Sequence, residues 1–436
     1  MRDAAATAEI RRDEPAAPRG RWAGLAACAG LFLMVNVHRF AVGTLAGPLM
    51  AEFGATAVQI GGLASLYFYL YGGMQIPSGI LADTWGPRRS LTLAGTCLAA
   101  GAAVFAWAPA LPAAYAGRVL IGFGAAAILV NAMRFFANWF SPWQFATLVG
   151  LVNVAGNAGA FLAGAPLAVA AELLGWRAVF WGVGACTLAA AAAAWAVVRD
   201  RPPGGGAPPE AMPLAAVLRA TATLLQSREI WKALLTKMGL DSSLFAFFAL
   251  WGAPYLSQAY SLPRATAARF ISVATVGFAL GAPSMGVLSD RVFRNRRTPI
   301  LLAGTGYGLL WIAVIYPPGG PYGTLLFGIV AFCLGFLASC LLLTLAVARD
   351  KCDPAVAGVA TATVNAGGFL GAAVLQLVTS AILDLYWEGA TAGGARVYPA
   401  HAFRVAFLIC VGFIVVSLVS AWRIRESPPQ RAGAGD

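Results

Sequence analysis

Charge is scarce in this chain. Only 11% of its 436 residues are Asp, Glu, Lys or Arg, against 59% hydrophobic residues, whereas a water-soluble domain carries about 25% charged residues. So little polar material cannot cover a surface that faces water all round, so the outer surface must face lipid. Histidine is scarcer still. There are two, His38 and His401, which excludes a histidine-rich metal centre. The seven cysteines (28, 97, 186, 333, 340, 352 and 410) are scattered, mostly within apolar segments, and none forms a CxxC pair. Neither a disulfide framework nor a zinc site is indicated. No GxxxxGK[ST] loop occurs, so direct use of ATP is not expected. No cofactor is expected either.

Basic residues outnumber acidic ones by 30 to 18, giving a net charge of +12. They sit in short clusters between long apolar runs, not in a basic stripe with interleaved aromatics, so nucleic acid is not the expected partner. The 50 glycines suit helices that pack closely in a bilayer. The stretch 1–21 mixes both charges with Ala and Pro and lacks the design of a cleaved signal peptide. It reads as a cytoplasmic tail.

A bilayer-spanning helix needs roughly 20 apolar residues. Segments meeting that demand run near 22–50, 58–82, 91–110, 114–139, 145–170 and 175–198, then near 230–257, 266–289, 299–317, 322–348, 355–384 and 402–422. The expected fold class is an all-α polytopic membrane protein with twelve transmembrane helices in two pseudo-symmetric six-helix bundles, 22–198 and 230–422. The linker 199–229 and the tail 423–436 are assigned to the cytoplasm, the linker with room for a short surface helix. With both termini inside, 21 of the 30 basic residues fall on the cytoplasmic side and five (Arg177, Arg264, Arg269, Arg396 and Arg404) outside. The opposite orientation inverts this bias and is rejected.

The halves echo each other. Gly79-Ile-Leu-Ala-Asp83-Thr-Trp-Gly86-Pro-Arg88-Arg89 follows the second span, and Gly286-Val-Leu-Ser-Asp290-Arg291 follows the eighth. Matching loops after equivalent spans point to an internal duplication and to alternating access about a central site.

These loops resemble the G-x-L-a-D-r-x-G-r-r signature of the major facilitator superfamily, the second copy lacking the later Gly. Arg118-Val-Leu-Ile-Gly122-Phe-Gly124 resembles that superfamily's fourth-span R-x-x-x-G-x-G, and Gly175-Trp176-Arg177-Ala-Val-Phe180 the start of its sixth span. Asn36-Val-His38-Arg39 and Asn131-Ala-Met-Arg134, with Asn138-Trp139-Phe140 following, resemble the anion:cation symporter branch. The resemblance implies a bacterial inner-membrane carrier, functional as a monomer, that takes up a small organic anion with protons. In that branch two arginines hold the substrate carboxylate. Positions that carry acids in the branch are His38 and Ala125 here.

Candidate residues follow from charge placement as well as from the resemblance. Arg39 lies mid-span, where an unpaired guanidinium is costly, and its fork suits a carboxylate; packing against a backbone carbonyl is the alternative. Arg134 is its candidate partner, or a residue that snorkels to the headgroups. Tyr67 and Tyr71, four apart, with Gln75, Trp251, Tyr255 and Asn365, are candidates to shape the site, though aromatics in so apolar a chain also serve as core. For protons, His38 titrates in the physiological range, with local packing its other reading. Asp241 and Lys237, four apart, can form an ion pair that is either static or switched. Asp83, Arg88, Arg89, Asp290 and Arg291 are assigned to interhalf contacts that lock the outward-facing state, and Arg118 to coupling or packing.

Export of an organic compound, or import of a peptide, amino acid or iron chelate, remains open. Gly156-Asn-Ala-Gly159 in the fifth span fits an antiporter Gly-Pro signature poorly. An enzyme would need more intramembrane machinery than one His and one deep acid. A sensor or assembly protein that keeps a carrier fold is the remaining alternative.

Overall fold

The computed structural model describes residues 20–202, 214–317, 323–353 and 356–425. Most of both expected tails and the Pro/Gly-rich part of the linker lie outside them. In chain order the helices are α1 (Gly20–Thr44), α2 (Ala46–Phe53), α3 (Ala57–Gly73), α4 (Gln75–Trp85), α5 (Pro87–Trp107), α6 (Leu111–Trp139), α7 (Pro142–Leu162), α8 (Ala165–Leu174) and α9 (Trp176–Val197). After the linker come α10 (Leu214–Leu224), α11 (Arg228–Ala246), α12 (Gly252–Ala259), α13 (Arg264–Val287), α14 (Arg297–Ile315), α15 (Thr324–Ala338), α16 (Leu343–Asp350), α17 (Ala357–Leu385) and α18 (Ala400–Trp422). Strands β1 (Thr391–Ala392) and β2 (Ala395–Arg396) form a small antiparallel hairpin between α17 and α18.

Ten helical stretches among the described residues are long and apolar enough to cross a membrane. An eleventh is completed if Thr147–Leu162 and Ala165–Leu174, bent by 42°, count as one. The bend falls where Gly164 is followed closely by Pro166, whose ring removes a backbone donor. The expected second span is broken at Met74 between α3 and α4. Pro77 has no N–H to give to the carbonyl of Gly73, and the Gly72-Gly73 pair weakens the turn before it. The short surface helix allowed for in the linker is α10. Large apolar side chains such as Leu173, Leu309, Leu325 and Leu385 point outward, which a bilayer accepts and water does not.

Helices meet through small residues. Gly277 of α13 and Gly335 of α15 each lie against the other helix's backbone, where any Cβ would overlap it. Between α11 and α12 the chain makes a π-helical turn, Phe247–Trp251, and a second π turn, Leu288–Val292, ends α13.

The starts of α1 and α11 and the ends of α6 and α18 share one face of the bundle, here the terminal side; the α1–α3 connection and the hairpin mark the far side. Among the described residues, hydrogen bonds between the two halves of the chain gather toward the far side. Ser65 Oγ donates to the Ala373 carbonyl (2.8 Å), and Ser272 Oγ to that of Phe161 (3.0 Å). The backbone N–H groups of Ala57 and Val58 reach Asp384 at 3.0 and 2.8 Å. The Tyr398 hydroxyl accepts from Ala57 N–H and donates to Asp384. Burial, then the neighbouring Asp384 carboxylate, push that hydroxyl up from its ordinary value, so it remains a donor at neutral pH.

Candidate functional site

The site grows from Arg39, in the far-side half of α1. Its Nε donates to the Tyr67 hydroxyl (3.2 Å) and its Nη1 to Asn36 Oδ1 (3.1 Å). Asn36, almost one turn earlier, is aimed by its own bond to the Phe32 carbonyl (3.0 Å). Arg39 Nη2 is buried and has no hydrogen-bond partner among the described residues. Four rings surround the guanidinium. Its carbon lies 4.8 Å from the Tyr71 ring centre, 5.3 Å from Phe369, 5.6 Å from Tyr67 and 5.8 Å from Phe245. Each such contact is worth about 0.5–2 kcal/mol, whereas a buried charge stripped of its counter-ion costs several. The four rings offset much of that cost but bring no negative charge to balance the cation.

Tyr67 and Tyr71 come from α3, whose i,i+4 spacing puts them on one face. Phe369 comes from α17 and Phe245 from α11, both in the other half of the chain. The rings of Phe245 and Phe369 stack with centres 5.8 Å apart, and Phe369 meets Tyr71 at 4.5 Å. Phe245 continues a stripe of Lys237 and Asp241 at four-residue steps along α11. Lys237 Nζ lies 2.9 Å from Asp241 Oδ2 but off hydrogen-bonding alignment, so charge holds the pair. Gly368 of α17 makes room for that carboxylate, since a methyl there would overlap Asp241 Oδ2. Arg39 is within electrostatic reach of Asp241 across the two halves.

Arg118 is fully buried on α6. Nε donates to the Leu63 carbonyl (3.1 Å) and Nη1 to that of His38 (2.9 Å), tying α6 to α3 and α1. Its guanidinium also covers Tyr67 at 5.1 Å, so that ring lies between two arginines. The charged side chains buried among the described residues are Arg39, Arg118, Lys237 and Asp241. Three positive charges less one negative leave a surplus of +2, and the only ion pair among them is Lys237–Asp241.

His38 turns the other way. Its Nε2 lies 3.3 Å from Thr187 Oγ1 on α9, and its ring meets Phe180 at 6.0 Å. Adjacent positions on a helix diverge by about 100°, which separates it from Arg39. Trp251 and Tyr255 are also elsewhere. Trp251 Nε1 donates to Ser380 Oγ (3.0 Å), while the Tyr255 hydroxyl donates to the Val314 carbonyl (2.8 Å) amid Phe247, Phe403 and Phe407. Gln75 is buried at the start of α4. Asn365 is half-buried one turn before Phe369, and Arg134 half-buried near the terminal end of α6.

Of the gating candidates, Arg88 and Asp290 make their contacts within their own half or the linker that adjoins it. Arg88 Nε donates to the Trp195 carbonyl (2.9 Å), and its backbone N–H to Asp200 (2.9 Å). Asp290 pairs with Arg296 at a cavity of about 260 Å³ that also meets Asp350 and Lys351. Arg89 and Arg291 are exposed, and the side chain of Asp83 lies outside what is described.

Sequence reasoning quoted Asn36 only within the symporter motif and passed over Phe245, Phe369 and Gly368. The Lys237, Asp241, Phe245 periodicity was the available signal for Phe245; a Phe after two glycines carries none.

A bundle of apolar helices enclosing a charged, aromatic-lined centre between two halves of one chain defines a membrane carrier. The Major Facilitator Superfamily profile matches residues 26–376 and 240–435, and the chain belongs to that superfamily. It is a non-enzymatic secondary transporter of small molecules. A probable L-galactonate transporter of Escherichia coli K12 is 24% identical over 399 residues, covering 82% of this chain and 79% of its own. A probable sulfoacetate transporter of Cupriavidus necator is 23% identical, covering 65% and 69%. A chloramphenicol resistance protein of Streptomyces lividans is 28% identical, covering 87% and 92%. Among solved structures, a bacterial homologue of the human lysosomal transporter Spinster, inward-facing and unoccupied, superposes with a TM-score of 0.76 at 16% identity, covering 94% of this chain and all of that one.

Proposed function

We propose that this protein carries a small organic anion into a bacterial cell by alternating access, with Arg39 holding the carboxylate and protons supplying the energy. One observation carries the reading: Arg39 is buried, has a free Nη2, and has no acidic ion-pair partner among the described residues. A carboxylate would supply the missing charge in the bidentate geometry that guanidinium prefers. The names of the galactonate and sulfoacetate relatives agree with an anionic cargo.

In this reading the chain forms twelve spans in two six-helix units, and one chain suffices for a pathway. Six spans per unit require α3 with α4, and α7 with α8, to act as broken single spans. The terminal side is cytoplasmic, following the distribution of Lys and Arg. Contacts between the halves on the far side, with the terminal-side ion pairs of Arg296 kept within the C-terminal half, then describe an inward-facing arrangement. Asp241 is the proton carrier. It is paired with the Lys237 ammonium and faces a second cation, Arg39, across the two halves, so arrival of an anion at Arg39 changes its balance. Asp83 and Asp290 serve the opposite state, in which the terminal side closes.

The test is uptake of a labelled organic-anion panel into proteoliposomes under an inward proton gradient, with Arg39→Ala and Arg39→Lys in parallel. Saturable, gradient-driven uptake lost in Arg39→Ala and impaired in Arg39→Lys supports the proposal. Transport unchanged by either substitution, or confined to cationic or neutral compounds, overturns the carboxylate site and leaves the carrier fold intact. Export is a second reading, favoured by the Streptomyces relative; proton-driven extrusion from preloaded vesicles distinguishes it.

A further inference from the structure

We infer that the anion is an aryl-alkanoate, an aromatic ring joined to one acid group by a short saturated chain, and that its ring replaces Phe245 and Phe369 on Arg39. This rests on the carboxylate reading of Arg39 and goes beyond it, because it concerns the body of the substrate. Few polar atoms beside the guanidinium are free: the Tyr67 hydroxyl and Asn36 Oδ1 accept from Arg39, and Asn36 Nδ2 donates to the Phe32 carbonyl, which leaves chiefly the two tyrosine O–H groups of Tyr67 and Tyr71. A polyhydroxylated acid brought here would lose water from several hydroxyls with few groups left to receive them, and each unmet group costs about 1–3 kcal/mol. What the site offers in quantity is ring surface. Besides the four rings on Arg39, Phe68 packs on Phe245 with centres 4.8 Å apart.

The origin of those rings matters. Tyr67 and Tyr71 share a half with Arg39 and travel with it. Phe245 and Phe369 belong to the other half, and alternating access moves that half relative to Arg39. Their faces on the guanidinium, at 5.8 and 5.3 Å, are then withdrawn, and the ring of the cargo can take the vacated face of the cation while its carboxylate meets Nη2 in the guanidinium plane, a turn that needs a flexible chain between acid and ring. A saturated ring of similar size offers the charge without the quadrupole that attracts a cation.

The experiment is equilibrium binding of labelled 3-phenylpropionate to the purified full-length protein, with 3-cyclohexylpropionate, L-galactonate and 3-phenylpropionamide as competitors. Binding of 3-phenylpropionate about tenfold more tightly than 3-cyclohexylpropionate, the gap expected of one desolvated cation–π contact, supports the inference, as does survival of that gap in Phe369→Leu, which removes a ring that competes for the cation. The wild-type comparison decides the sign even if that variant does not fold. Equal affinity for the two acids, tighter binding of galactonate, or no binding of 3-phenylpropionate overturns the aromatic inference; the Arg39 site then still stands if Arg39→Ala abolishes binding of whichever acid is held. The amide competing as well as 3-phenylpropionate sinks the carboxylate reading instead.

Discussion

Asp384, at the end of α17, lies 2.8 Å from the backbone N–H of Val58 in the first turn of α3, so an acid from one half of the chain caps a helix of the other. The carboxylate meets the positive end of the helix and also takes the Ala57 N–H. Arg396 steadies it at 3.2 Å. If these bonds exist only while the far side is closed, Asp384→Ala removes about 2 kcal/mol from that state alone. The closed-to-open ratio should then fall by more than tenfold, read as more of the longer distance between spin labels at Trp107 and Tyr316. An unchanged distance distribution would show that the contact does not hold the gate.

Gly368 offers a sharper probe of the Lys237–Asp241 pair. Gly368→Ala puts a methyl where the Asp241 carboxylate lies, whereas the same change at Gly358 meets nothing within 4 Å. The first should abolish gradient-driven uptake while the second leaves it intact. Equal activity of the two variants in vesicles would mean that the placing of Asp241 is irrelevant to transport.

Under the proposed proton coupling, Asp241 and His38 should behave differently. Asp241→Asn should retain exchange of substrate across the membrane but lose accumulation against its gradient. His38→Gln should keep both, because His38 faces Thr187 and Phe180 rather than the ring-lined centre. Counterflow and accumulation assays on the two variants decide the matter, and loss of accumulation in His38→Gln alone would reverse the assignment.

Tyr255→Phe removes one buried bond to the Val314 carbonyl. It should cost about 1 kcal/mol of stability, lowering the melting temperature in detergent without altering substrate affinity. A changed affinity would return Tyr255 to the binding site.

Much of the membrane region was legible from length and hydrophobicity, because a span must satisfy its own backbone and stay apolar over a fixed distance. Breaks were harder. Pro77 and Pro166 fall inside apolar runs whose mean hydropathy does not register a lost donor. Arg39 stood out because a mid-span charge is rare, and Lys237 with Asp241 because four-residue spacing brings side chains together. The direction of His38 was hidden, since its neighbours on either side of α1 depend on packing between helices. The π turn at Phe247–Trp251 was hidden as well. One extra residue in a turn rotates everything after it by about 100°, so Tyr255 meets Val314, Phe403 and Phe407 rather than Arg39.

Arg39 and Arg118 leave the interior more positive than negative, and that surplus is also an electrical device. A unit charge carried fully across a membrane exchanges about 2.3 kcal/mol with every 100 mV. An inside-negative voltage therefore favours the empty, positively charged binding centre where it opens to the cell interior and opposes its journey back. An anion on Arg39 cancels part of the charge that the voltage acts upon, so loaded and empty crossings respond to the same potential differently. Voltage, on this view, sets the resting direction of the machine before any substrate arrives.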